Sequence, residues 1–219
     1  MLKAVRIWFQ KKGSARYISH LDLNRCISRA IHKAKIPLWY TQGFNPHAFL
    51  TFALPLSLGI QGDRESFDIR LEEDVPEKEL LQRLNSGLPE DIHLFAATEP
   101  IMKPGRIAFA SYRIELEPER ENAEAFCGKI RELFSQEEIS VSKRTKSGVR
   151  DINLKSFLSR TEVQIKGNKV LIFSILPAGS VENINPSLLT QAIEKYISPN
   201  FYVFFTRTNI YTEDMKEFA

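Results

Sequence analysis

Residues 16–62, RYISHLDLNRCISRAIHKAKIPLWYTQGFNPHAFLTFALPLSLGIQG, place a capped helix, a loop bearing glycine and proline, and an alternating apolar run in immediate succession. Ser19 precedes a helical pattern and Asp22 lies three residues on, a Ser-x-x-Asp variant of the capping box. Leu23, Ile27, Ala30, Ile31 and Ala34 then recur at the spacing of one helix face. The pattern predicts a helix as far as Lys35, stopped by Pro37. Arg25, Arg29, His32 and Lys33 fall mostly off that stripe and are expected in water, with Arg25, Arg29 and Lys33 as candidates for phosphate contact. Further on, Leu50, Phe52, Leu54, Leu56, Leu58 and Ile60 take every second position, which predicts a strand with one face on a core. Pro55 has no N–H to give a ladder, so an edge, a bulge or a bend is expected there.

Upstream, residues 3–10 alternate as a strand, residues 11–14 read as a turn, and residues 15–18 as a short continuation. Downstream, Gln61-Gly62-Asp63 turns the chain into Phe67, Ile69 and Leu71, a hairpin. Pro76 opens a short helix with Leu80, Leu81 and Leu84, and residues 92–97 read as a strand. This order, βαββαβ, is that of the ferredoxin-like arrangement. It repeats after a linker at residues 99–105, with Asn185 and Pro186 opening the last helix and residues 201–211 the last strand. A polar insertion, residues 143–160, interrupts the second strand of the repeat. The expected fold is therefore α+β: two tandem ferredoxin-like domains with antiparallel sheets, residues 1–104 and 105–219.

A hydrophobic content of 43% over 219 residues suffices for one large core or two small ones. Mean hydropathy is −0.24 and no apolar run approaches the twenty residues a membrane span needs. The strand-like start has no signal-peptide pattern, so a cytoplasmic location is expected. Cys26 and Cys127 stand far apart without metal-ligand spacing, so neither a metal nor another cofactor is expected. The net charge of +3 is uneven: nine Lys and Arg residues against Asp22 in residues 1–50, an acidic run from Asp63 to Glu99, then a second basic stretch from Lys143 to Arg160. Two basic stretches rich in loop residues raise the prospect of an anionic ligand.

Two segments carry candidate chemistry. In 42–47, Phe44 and His47 suit stacking on a base while Gln42 and Asn45 suit hydrogen bonds to its edge, with Gly43 giving an unusual backbone angle. Ordinary turn chemistry explains the same residues. Trp39 and Tyr40 either extend that platform or begin a core strand. Ser19 and His20 lie where an anion would meet a helix N-terminus, and His20, Asp22 and His47 are the candidates for acid–base work, although Asp22 also fits a cap. In the basic stretch, Lys143, Arg144, Lys146, Arg150 and Lys155 are candidates for phosphate contact. Residues 144–149 partly match the Arg-Thr-Asp-x-Gly-Val motif of tRNA pseudouridine synthases, but Lys146 replaces the nucleophilic aspartate, so no reaction is expected there.

The blocks Ser19-His20-Leu21-Asp22-Leu23, Tyr40-Thr41-Gln42-Gly43-Phe44-Asn45-Pro46-His47 and Phe52-Ala53-Leu54-Pro55-Leu56-Ser57-Leu58-Gly59 resemble the signature of the radical SAM-linked protein family. Arg150-Asp151-Ile152-Asn153-Leu154-Lys155 resembles its second motif, and Arg207-Thr208 its closing strand. The resemblance implies a radical SAM protein as partner and supplies no reaction. The chain lacks the three-cysteine cluster motif, so it is not expected to be the radical enzyme itself. Three functions follow as expectations: a non-catalytic accessory protein presenting substrate, RNA or an RNA-bearing assembly, to a radical SAM enzyme; an RNA-modifying or RNA-processing enzyme; or a pure scaffold.

Overall fold

Alternating apolar residues make Lys3–Lys11 a strand, β1, buried on both faces over most of its length. The computed structural model describes residues 2–42, 44, 46–145 and 148–219. It divides into two compact units, one of residues up to Arg106 together with Glu217–Ala219, the other Ile107–Lys216. The architecture is mixed α+β, with antiparallel pairing in both units. Among the described residues no helix is long and apolar enough to cross a membrane.

In the first unit β1 is followed by α1 (His20–Lys33), β2 (Leu50–Phe52), β3 (Ile60–Leu71), α2 (Glu77–Asn85) and β4 (Ile92–Thr98). The strands lie in the order β4-β1-β3-β2, each antiparallel to its neighbour. Leu23, Ile27 and Ile31 of α1 and Leu80 and Leu84 of α2 pack with Val5, Ile7, Phe9, Phe67 and Ile69 of the sheet into one core. On β4, Leu94 exchanges two hydrogen bonds with the Asn85 side chain, at 2.8 and 2.9 Å, and the Ala97 N–H donates to Glu77 at 3.0 Å. Side chains of α2 thereby occupy backbone groups of β4, which among the described strands pairs with β1.

Two segments differ from the pattern their sequence suggests. The alternating run 50–60 is not one strand: β2 ends at Phe52, and the turn falls at Gly59, whose φ of +83° suits glycine. Pro55 lies beyond the ladder, which ends at Phe52, and past it the alternation no longer tracks burial: Leu56 is buried while Leu58 is 65% exposed. Residues 15–18 do not extend β1. Gly13–Tyr17 forms a 3-10 turn held by Asp91, whose carboxylate accepts from the Ser14 hydroxyl and from the N–H groups of Ser14 and Ala15.

The second unit runs β5 (Ile107–Pro118), α3 (Ala123–Ser135), β6 (Ser140–Thr145), β7 (Gly148–Asn153), β8 (Thr161–Lys166), β9 (Lys169–Pro177), α4 (Ser187–Tyr196) and β10 (Phe201–Thr212). Strands β10-β5-β9-β8 form an antiparallel sheet in that order. Ala110, Tyr112, Ile114 and Leu116 of β5 are buried, and Phe109, Ser111, Arg113 and Glu115 point to the other face. The polar insertion is not a loop: β6 and β7 pair as a separate hairpin, with Val141 opposite Ile152 and Lys143 opposite Arg150. The chain end differs too. Residues 217–219 belong to the first unit because Phe218 is fully buried there against Trp8 and Arg6, and the Ala219 carbonyl accepts from Arg6 and from the Met102 N–H.

Candidate functional site

Most of the positive charge of the first strand is consumed internally. Lys3 pairs with Asp74, the buried Arg6 with Asp68, and Lys12 with Asp63, so the acidic run on and after β3 neutralises β1. Lys11 is fully buried and donates to the Ile18 carbonyl at 3.1 Å. Helix α1 is different. Its apolar stripe, Leu23, Ile27, Ala30 and Ile31, is sealed in the core, and Arg25, Arg29 and Lys33 stand on the exposed side.

The start of α1 is fixed by Ser19, whose hydroxyl oxygen accepts from the Asp22 N–H at 3.1 Å and donates to the Asp22 carboxylate at 2.7 Å. That hydroxyl, and then Arg25 at 3.2 Å, hold the Asp22 carboxyl below the usual carboxylate range. Asp22 is therefore a cap and a partner for Arg25. The His20 ring meets Phe52 edge-on at 4.8 Å, and its Nδ1 is buried without a hydrogen bond. Burial, and then the charge of Lys11, lower its pKa, so a neutral packed ring is favoured over an imidazolium gripping an anion.

Along the exposed side of α1, Asp22, Arg25, Cys26, Arg29 and Lys33 form one wall of a groove of about 540 Å3. Residues 86–89, which follow α2, form the other. The walls come close because position 87 is glycine: a Cβ there would lie 3.3 Å from Ala30. Arg29 and Lys33 are one helical turn apart, and among the described residues neither has a carboxylate partner. Cys26, three residues before Arg29 on the same wall, is a protonated thiol, its pKa pushed up by burial against the opposing pull of Arg29. No local signal in the sequence marks residues 86–89 as a groove wall, since their meeting with α1 depends on tertiary packing.

Between α1 and β2 the chain runs as a tongue, whose two sides are residues 39–42 and 46–49. Tyr40 bridges to Ala48, the Thr41 N–H donates to the His47 carbonyl at 2.9 Å, and the His47 N–H donates to the Thr41 hydroxyl at 3.1 Å. The Thr41 hydroxyl also lies 3.0 Å from His47 Nδ1. At the root, the Arg70 guanidinium lies 4.4 Å from the Phe49 ring centre and 5.3 Å from that of Trp39. Trp39 is thus part of the root, while Tyr40 is partly exposed and Phe44 is wholly exposed. Gln42 is exposed; Gly43 and Asn45 lie outside the described residues. The described contacts of His20, Asp22 and His47 run to Phe52, to Ser19 and Arg25, and to Thr41.

The second basic stretch is more engaged than its composition suggests. Lys143 donates to the Asn183 carbonyl at 2.6 Å, and Lys155 to the Phe134 and Ser135 carbonyls, capping α3. Arg150 is exposed, opposite Lys143. Lys146 and the side chain of Arg144 lie outside the described residues. Among the described residues no group of three His, Cys, Asp or Glu side chains is placed to hold a metal ion.

No curated protein matches the chain. Among solved structures it is similar to a chain in a crystal structure of a Cbf5-Nop10-Gar1 complex, with a TM-score of 0.50 and 12% identity. The likeness covers 96% of this chain and 50% of that one, so the chain spans about half the length of the structure it matches, and it concerns the fold alone. The model of one family matches residues 4–186, and on that match the chain belongs to the family described as uncharacterized protein conserved in bacteria (DUF2344).

Proposed function

We propose that the chain is a non-catalytic accessory protein that binds RNA, or an RNA-bearing assembly, and presents it to a radical SAM enzyme. The observation that carries the RNA-binding part is the α1 groove, where Arg29 and Lys33 stand uncompensated one turn apart at a concave surface. Such a pair suits successive phosphates, and an exposed aromatic such as Phe44 suits stacking on an unpaired base. Each unit is proposed to be ferredoxin-like, in keeping with the βαββαβ order and the strand order 4-1-3-2 that both follow, β6–β7 being an insertion. The radical SAM partner rests on the Ser19–Leu23 and Gln42–His47 motifs. For the acid–base alternative, the described contacts of His20, Asp22 and His47 run to Phe52, to Ser19 and Arg25, and to Thr41.

Fluorescence anisotropy with a labelled single-stranded RNA tests the reading. Binding should weaken steeply with salt, and Arg29→Ala with Lys33→Ala should reduce both the affinity and the salt slope, by about 0.7 for each phosphate no longer neutralised. Absence of binding at low salt, or a slope that the double variant leaves unchanged, refutes it. Pull-down with the radical SAM protein, followed by crosslinking and sequencing of RNA, separates presentation from a pure scaffold, which would recover the partner without RNA.

A further inference from the structure

On the second unit, the sheet face bearing Phe109, Ser111 and Arg113 opens into a groove of about 490 Å3. Three hydroxyls meet in it: Ser111 Oγ lies 2.7 Å from Thr208 Oγ1 and 3.5 Å from the Tyr211 hydroxyl. Arg160 lies at the rim. Its guanidinium is 5.2 Å from the Phe109 ring centre, and its hydrogen bond goes to the Met215 sulfur, a weak acceptor. Among the described residues Arg160 has no carboxylate partner. Glu162, which also lines the groove, accepts from Gln164 at 2.8 Å.

Strand register fixes the spacing. The Arg160 carbonyl accepts from the Ile175 N–H, and Ile175 is opposite Ser111, so Arg160 and Ser111 flank Ile175 across about two strand spacings, roughly 10 Å. Phe173 stands on the same face one pleat along, about 7 Å away. A cation with free N–H donors, a cluster of hydroxyls and an aromatic face thereby share one groove, on backbone spacings that a long arginine side chain can shorten to the reach of a phosphate, a ribose and a base. Hydroxyls that donate and accept among themselves can exchange those bonds for the ribose diol. A guanidinium bonded to sulfur gains a charge-assisted bond when a phosphate arrives.

We propose that this groove binds a phosphorylated ribonucleoside, with the phosphate on Arg160, the ribose on Ser111, Thr208 and Tyr211, and the base against Phe173. The site lies in the other unit from the α1 groove and stands without it. The same chemistry is offered by a free 5′-nucleotide and by one nucleotide of an RNA strand. Titration of the full chain with UMP, AMP, dAMP and a hexauridylate, followed by calorimetry, tests the assignment. Ribonucleotides bind saturably, and dAMP binds several-fold more weakly than AMP. Arg160→Ala costs about tenfold or more, the scale of one charge-assisted hydrogen bond. Phe173→Leu, which keeps the packing volume, costs about tenfold for either base through lost stacking. A hexauridylate that binds much better than UMP assigns the site to a strand; equal affinity assigns it to a free nucleotide. The assignment is overturned if nothing binds, or if correctly folded Arg160→Ala and Phe173→Leu bind like the parent. Measuring the Arg29→Ala, Lys33→Ala variant beside them separates the two grooves, since loss there with UMP binding intact bears on the α1 groove alone.

Discussion

Replacing Phe218 by alanine should destabilise the first unit by about 4 kcal/mol. The side chain is fully buried, and removal of a buried phenylalanine costs about 3–5 kcal/mol through lost transfer energy and the cavity left behind. Its ring stands 6.4 Å from that of Trp8 at an interplanar angle of 65°, an edge-to-face pair, and 4.3 Å from the Arg6 guanidinium. These interactions are part of the same loss and do not add in full to it. Arg6 keeps Asp68 at 2.8 and 2.9 Å and the Met102 carbonyl at 2.8 Å, but its bond to Ala219 depends on the tail that Phe218 anchors. Urea unfolding followed by tryptophan emission in a Trp39→Phe background reports on Trp8 alone, which is 4% exposed. The expected result is a lower midpoint and a red-shifted native emission maximum, with Phe218→Leu recovering most of the loss. A cost below about 1 kcal/mol with native emission unchanged refutes the claim that the tail is part of the core.

His20 supplies a pH dependence. Burial, then Lys11, hold its folded pKa below the ordinary 6.5, so the unfolded chain takes up the proton first. Its contribution is full above about pH 6.5 and is lost as pH falls through the lower folded value. The drop in urea midpoint from about pH 7.5 to 5 should therefore shrink in His20→Phe, and a drop of unchanged size counts against the assignment. Asn85→Ala strips two hydrogen bonds from Leu94 and should cost about 1–3 kcal/mol, read by thermal melting, with more light scattering as the β4 edge becomes open to pairing. Gly59→Ala meets no atom within 4 Å, so its cost of about 1 kcal/mol comes from the backbone at φ +83°; a neutral effect on the urea midpoint excludes that turn conformation. Lys155→Met should lower stability by about 1 kcal/mol while leaving RNA affinity unchanged, because the ammonium caps α3.

The legible parts of the sequence are those whose signal is local. Ser19 with Asp22, and the stripe of Leu23, Ile27, Ala30 and Ile31, define α1 without knowledge of the rest of the chain. The run 50–60 misleads because alternation records which residues are apolar and not whether a ladder forms; Leu58 keeps the period and is exposed. The β6–β7 hairpin escapes notice because its residues are mainly polar and its order comes from cross-strand pairing, not an apolar face. Charge is the clearest case. Lys3, Arg6 and Lys12 count toward a basic N-terminal segment until β3 and the turn after it supply their counterions, while among the described residues Arg29, Lys33 and Lys35 keep no carboxylate partner. The docking of residues 217–219 is set by Trp8 and Arg6, some two hundred positions away in the chain, and three residues carry no periodicity of their own.

The tongue is stiffened before anything touches it. With Thr41 clasping His47 across its neck and Arg70 wedged against Trp39 and Phe49 at its root, much of the ordering entropy of a loop is already spent during folding. A partner that meets Phe44 engages a side chain whose stem is already in register, so buried area converts to affinity with little loss to immobilising the stem. Releasing the wedge by Arg70→Ala would then lower affinity as an entropic penalty, visible in calorimetry at nearly constant enthalpy, although Arg70 itself touches no ligand.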